Sequence, residues 1–177
     1  MGAYPLPLEE RIILKSPQEI EKMRRSNRIV AEILREIQAA ARPGVKTREL
    51  DDLAQALLHK YGARSAFKGY NGYPAVLCTS VNEEVVHGIP SDRVLKEGDI
   101  LSLDFGAIYD DYYGDAAITL AIGRTSEEAE RLMRVAEEAL YLAIDRARPG
   151  NRRLGVSAAC ALRNDQHHQH RPRHTHR

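Results

Sequence analysis

Cysteine is scarce in this sequence: Cys78 and Cys160 are the two among 177 residues. Two cysteines build no disulfide framework, and such usage suits a reducing compartment. Long apolar runs are missing too. None approaches the roughly 20 residues of a membrane span. The first residues carry Glu9 and Glu10 before a short Ile12, Ile13, Leu14 run, which is no signal peptide. Leu6 stands where a myristoylation signal needs Ser or Thr. The expectation is a cytoplasmic protein with no membrane partner. A P-loop, a G-x-G-x-x-G fingerprint, a CxxC pair and a basic-aromatic patch are also lacking, so no specific nucleic-acid partner is expected.

What is present is ordinary for a globular chain: 43% hydrophobic and 29% charged residues, enough for one domain with a real core. The net charge of +1 hides an asymmetry. Residues 151–177 hold six Arg and one Asp, while the body is mildly acidic. Five of the seven histidines fall between His167 and His176. From Cys160 onward apolar periodicity stops, and such a composition cannot offset its ordering entropy. A disordered tail is expected over 160–177, with metal binding by its histidines the other reading.

Helix signals are strong at the other end. Ser16 suits an N-cap, Pro17 suits the first helical position, and Glu19 completes a capping box. Ile20, Met23, Val30, Ile33, Leu34 and Ile37 follow at helical spacing. Thr47 is the expected cap of a second helix carrying Leu50, Leu53, Ala54, Leu57 and Leu58, with Gly62 as its stop. Residues 65–86 read as strands and turns, with a strand over 75–81. Ser126 starts a third helix with a broad apolar face from Leu132 to Ile144. Ala41-Arg42-Pro43-Gly44 recurs as Ala147-Arg148-Pro149-Gly150, 106 residues on. This is either a common helix stop or the mark of an internal duplication.

The most informative stretch is 100–122. It reads as two strands with period-2 alternation joined by a turn at Tyr109, Asp110 and Asp111. Asp104 interrupts the first strand and Asp115 the second. With a two-residue turn they lie opposite each other or diagonal, on one face, with Cβ atoms about 4.5–8 Å apart. A three-residue turn would put them on opposite faces. Like charges that close raise one pKa unless cations intervene. Two divalent ions fit the pair, and ordinary edge or turn carboxylates are the alternative. His87, between Val86 and Gly88, is expected at a strand end where backbone approaches a ligand. There it could hydrogen-bond a substrate, or it could be a structural histidine. Cys78 reads as a buried apolar residue rather than a nucleophile.

The segments 16–24, 69–74, 80–90, 104–106 and 114–115 resemble the type I methionine aminopeptidases, in order and at matching spacing, over about residues 10–159. The resemblance implies an α+β pita-bread (creatinase/aminopeptidase-like) fold with pseudo-twofold halves, which would give the Ala-Arg-Pro-Gly repeat a reason. Residues 1–159 would then be the N-terminal portion of one catalytic domain. It implies two divalent metal ions (Co, Mn, Fe or Zn), removal of initiator methionine from nascent polypeptides at the ribosome, and a monomer. By the same resemblance Asp104 and Asp115 are metal ligands and His87 contacts substrate. Phe67, Tyr70, Tyr73 and Cys78 correspond to the methionine pocket. The family's remaining ligands, a histidine and two glutamates, have no counterpart motif here, as a truncated or frameshifted chain would show. Weak or absent activity is therefore expected. A related Xaa-Pro peptidase and an inactive binding module with a basic tail are the alternatives.

Overall fold

The computed structural model describes residues 13–151. The expectations for the 160–177 tail, Cys160 and the second copy of the duplication beyond Asn151 lie outside the described residues. Helix α1 (Pro17–Ala40) begins as its sequence dictates. The Ser16 hydroxyl accepts from Glu19 N–H, and the Glu19 carboxylate accepts from Ser16 N–H at 2.8 Å. Helix α2 (Thr47–Lys60) corrects one expectation, because its N-cap is Lys46 rather than Thr47. Thr47 is buried and faces the loop ahead of the hairpin, where its hydroxyl donates to Ser91 O and accepts from Ser91 N–H. A polar side chain in that place gains more from satisfying buried backbone than from capping exposed N–H groups.

Strands β1 (Arg64–Ser65), β2 (Leu77–Val81), β3 (Ile100–Tyr109) and β4 (Tyr112–Ala121) form one antiparallel sheet. β1 and β2 share one edge of β3, and β4 takes the other. Leu101, Leu103, Phe105 and Ala107 of β3 are fully buried against α1 and α2. Val30, Ile33, Leu34 and Ile37 of α1 and Leu50, Ala54, Leu57 and Leu58 of α2 complete that core. Each large apolar side chain so buried contributes about 1.5–3 kcal/mol. Intervening residues Ser102 and Asp104 point to the opposite face of the sheet, away from the helices.

α1 approaches the hairpin closely. Ser26 is buried, and its hydroxyl lies 3.1 Å from Tyr109 O and 2.8 Å from Tyr112 O. A Cβ on Gly114 would come within 2.6 Å of the Ser26 backbone, so only glycine allows this contact. The hairpin turn is two residues, Asp110 and Asp111, with φ of 49° and 61°. Positive φ at both central residues is the geometry that matches strand twist. Helix α3 (Glu127–Arg146) starts at Ser126 as expected. Its apolar face is largely uncovered: Leu132, Leu140, Tyr141 and Ile144 are more than half exposed.

Candidate metal centre

The hairpin register decides where the carboxylates fall. Asp104 is opposite Ala117 and Asp115 is opposite Gly106. The two aspartates are therefore diagonal neighbours on one face, the second of the two registers that a two-residue turn allows. That face is the one turned away from the helices. Asp104 is half-buried there and Asp115 is exposed.

Burial raises the Asp104 pKa above its ordinary 3.8, and the Asp115 carboxylate raises it further. His87 opposes this, which brings its ring within electrostatic reach of Asp104. Two hard oxygen donors whose mutual charge disfavours ionisation fit a divalent cation, which would favour both charged forms. Two carboxylates are fewer than the three protein ligands that catalytic sites commonly use. Among the described residues no group of three or more His, Cys, Asp and Glu could hold an ion.

The other residues singled out from the sequence gather unequally. Cys78 of β2 pairs directly with Asp104 and is buried. Burial pushes its thiol pKa up, so it remains a neutral thiol. The Phe67 ring lies against Gly106, where an added Cβ would be 2.7 Å from its Cε1. Because residues 104 and 106 share a face, Phe67 borders the carboxylates. The Tyr73 hydroxyl lies 3.0 Å from Leu77 O and 3.2 Å from Gly88 O. Tyr70, in the turn of 3₁₀ helix Tyr70–Gly72, is 71% exposed.

His87 requires a correction. It belongs to the loop 82–99 rather than to a strand end, with φ of 58° and an exposed side chain. Gly88 is needed for protein packing and not for an approaching ligand. A Cβ there would be 2.3 Å from Thr79 O. Thr79 N–H donates to Gly88 O at 2.8 Å, and Gly88 N–H donates to Ser80 Oγ at 3.0 Å. The loop thus lies flat on β2, and this fixes where His87 emerges.

Sequence reasoning missed Asp51. From α2 its Oδ1 accepts from both Val76 N–H and Leu77 N–H at 2.9 Å. It anchors the start of β2 and hence Cys78. A carboxylate beside Leu50 on the packed face of α2 was the available signal. Ser26, a small polar residue in the apolar stripe of α1, was another.

An α+β scaffold with a carboxylate pair on one face of its sheet is compatible with the metal-dependent hydrolases, and comparison with known proteins decides the family. A family model for metallopeptidase family M24 matches residues 21–169. The chain belongs to metallopeptidase family M24. It is 52% identical over 147 residues to a methionine aminopeptidase of Clostridium acetobutylicum, an alignment that covers 82% of this chain and 59% of that protein. The crystal structure of methionine aminopeptidase from Thermotoga maritima superposes with a TM-score of 0.85 at 43% identity, covering 88% of this chain and 63% of that one. X-Pro aminopeptidase from Thermotoga maritima shares the fold, with a TM-score of 0.74 at 24% identity, covering 87% of this chain and 42% of that one. The α+β pita-bread expectation therefore holds. The chain spans about 60% of the length of the curated relatives it matches.

Proposed function

We propose that the chain is the N-terminal portion, residues 1–159, of a metalloaminopeptidase domain that removes initiator methionine from nascent polypeptides. The observation that carries this is the pairing of Asp104 and Asp115 on one sheet face beside Cys78. Asp104 and Asp115 would hold two divalent ions, of Co, Mn, Fe or Zn type. When bound, such ions supply Lewis-acid polarisation of the scissile carbonyl. His87 donates a hydrogen bond toward the substrate carbonyl or the charge that develops on it. Phe67, Tyr70, Tyr73 and Cys78 receive the thioether, which packs well on aromatic and sulfur atoms. The chain acts in the cytoplasm as a monomer, on polypeptides leaving the ribosome.

The test uses the full chain with Mn²⁺ or Co²⁺ and a Met-Ala-Ser peptide. Mn²⁺ binds to the wild type and not to Asp104→Ala. Methionine release is slow, because two carboxylates are fewer ligands than a catalytic site needs. Mn²⁺ binding that survives Asp104→Ala overturns the site. Cleavage of Xaa-Pro peptides and not Met-Ala-Ser overturns the substrate.

A further inference from the structure

We propose that the Tyr73 hydroxyl is a latch that holds the His87 loop against β2, which makes Tyr73 a positioning residue for His87 as well as a pocket wall. The inference rests on the reading of His87 as the group that faces substrate.

β2 and the His87 loop meet at this one oxygen. The hydroxyl donates to Leu77 O or Gly88 O, at 3.0 Å and 3.2 Å. Burial holds the Tyr73 pKa far above its ordinary value, so the hydroxyl keeps the proton it donates.

The loop is tied on both sides of His87, by Glu84 to Val81 and by Ser91 to Thr47, but the stretch between them carries no packed apolar anchor. Val85, Val86, His87 and Ile89 are all exposed, so no apolar side chain from them is packed beneath it. Around His87 its contacts with β2 run through the Gly88 backbone, at Thr79 and Ser80, while Glu84 accepts from Val81 N–H at the far end of the strand. Gly88 O accepts from Thr79 N–H and faces the Tyr73 hydroxyl as well. The residue before Gly88 is His87, in left-handed backbone geometry at φ 58°. A non-glycine residue there persists when its surroundings over-determine it. The Gly88 carbonyl, bonded to Thr79 N–H and facing the Tyr73 hydroxyl, and the Ser80-bound Gly88 N–H supply that restraint. Asp51 anchors the other end of the same assembly by fixing Val76 and Leu77.

The test is amide hydrogen exchange by NMR on the full chain and on Tyr73→Phe, which removes one oxygen and keeps the ring. The Thr79 and Gly88 amides should exchange about tenfold faster, as expected for one lost hydrogen bond. The core amides of Leu34 and Leu103 should not change. Tyr141→Phe, which removes an exposed hydroxyl on α3, should change none of them. Unchanged Thr79 and Gly88 exchange overturns the latch, and so does a uniform rise that includes the core. The unmutated chain gives a second measure. A slowly exchanging Tyr73 hydroxyl proton with a cross-peak to the Gly88 α-protons is expected, and its absence counts against the proposal. Mn²⁺ binding separates this from the peptidase reading. Faster loop exchange with Mn²⁺ binding that survives Asp104→Ala upholds the latch and tells against the peptidase. Mn²⁺ binding lost in Asp104→Ala with unchanged loop exchange does the reverse. In an active chain Tyr73→Phe lowers kcat with KM held, and adds nothing to His87→Ala. A raised KM with kcat intact makes Tyr73 a pocket wall alone.

Discussion

Replacing Asp115 with Asn should make the metal-free protein more stable and a metal-loaded one less so. Asp104 and Asp115 are diagonal neighbours on one face, with side chains near enough to share a proton. Coulomb repulsion at about 4 Å is about 4 kcal/mol at an effective dielectric of 20 and about 1 kcal/mol in water. Asp115 is exposed, so the value near water applies, about 1 kcal/mol. For a domain of this size that corresponds to a rise in Tm of about 2–4 °C. The assay is thermal unfolding of wild type and Asp115→Asn, in chelator and in Mn²⁺. Mn²⁺ should stabilise the wild type, because a ligand that binds only the native state adds to its stability, and should stabilise the variant much less. The pH dependence has a definite sign. The native Asp104 pKa is raised above 3.8, so the native state holds an extra proton between 3.8 and that raised value. Stability in chelator then falls as pH rises through this window and is flat above it. In Asp115→Asn the window narrows but persists, since burial is the larger cause. A variant no more stable than wild type in chelator would refute the reasoning, as would equal stabilisation of both by Mn²⁺.

Gly114→Ala puts a methyl group 2.6 Å from the Ser26 backbone. It should cost about 1–3 kcal/mol by forcing α1 off the hairpin, read from urea unfolding; an unchanged midpoint would mean the contact is slack. Asp51→Ala leaves Val76 and Leu77 N–H without their acceptor and should cost about 2–3 kcal/mol in the same assay. A loss under half a kcal/mol would show that water replaces the carboxylate.

Local chemistry made much of this molecule legible in advance. The capping box at Ser16 and Glu19, the stop at Gly62 and the start of α3 at Ser126 depend on neighbours in sequence, and all three hold. The hairpin followed from alternation plus a turn, and one of its two permitted registers is the one observed. Long-range satisfaction was not legible. Thr47 looked like a cap until Ser91 claimed its hydroxyl. Gly88 looked like room for a ligand, yet it makes room for Thr79. The roles of Asp51 and Ser26 depend on strands distant in the chain. The broad apolar face expected of α3 exists, but its exposure at Leu140, Tyr141 and Ile144 is not something periodicity encodes.

The tight turn at Asp110 and Asp111 also bears on the order of events in folding. Both aspartates of the candidate centre belong to one hairpin, so a short loop closure brings them together. Hairpins form in about 1–10 μs. The Ser26 hydrogen bonds that lock α1 onto that hairpin span 83 and 86 residues, a far slower search for the chain. The like-charge encounter therefore belongs to the earliest stage, before the core can offset it. A divalent ion or mild acid at that moment would speed the first step and leave the later docking of α1 untouched.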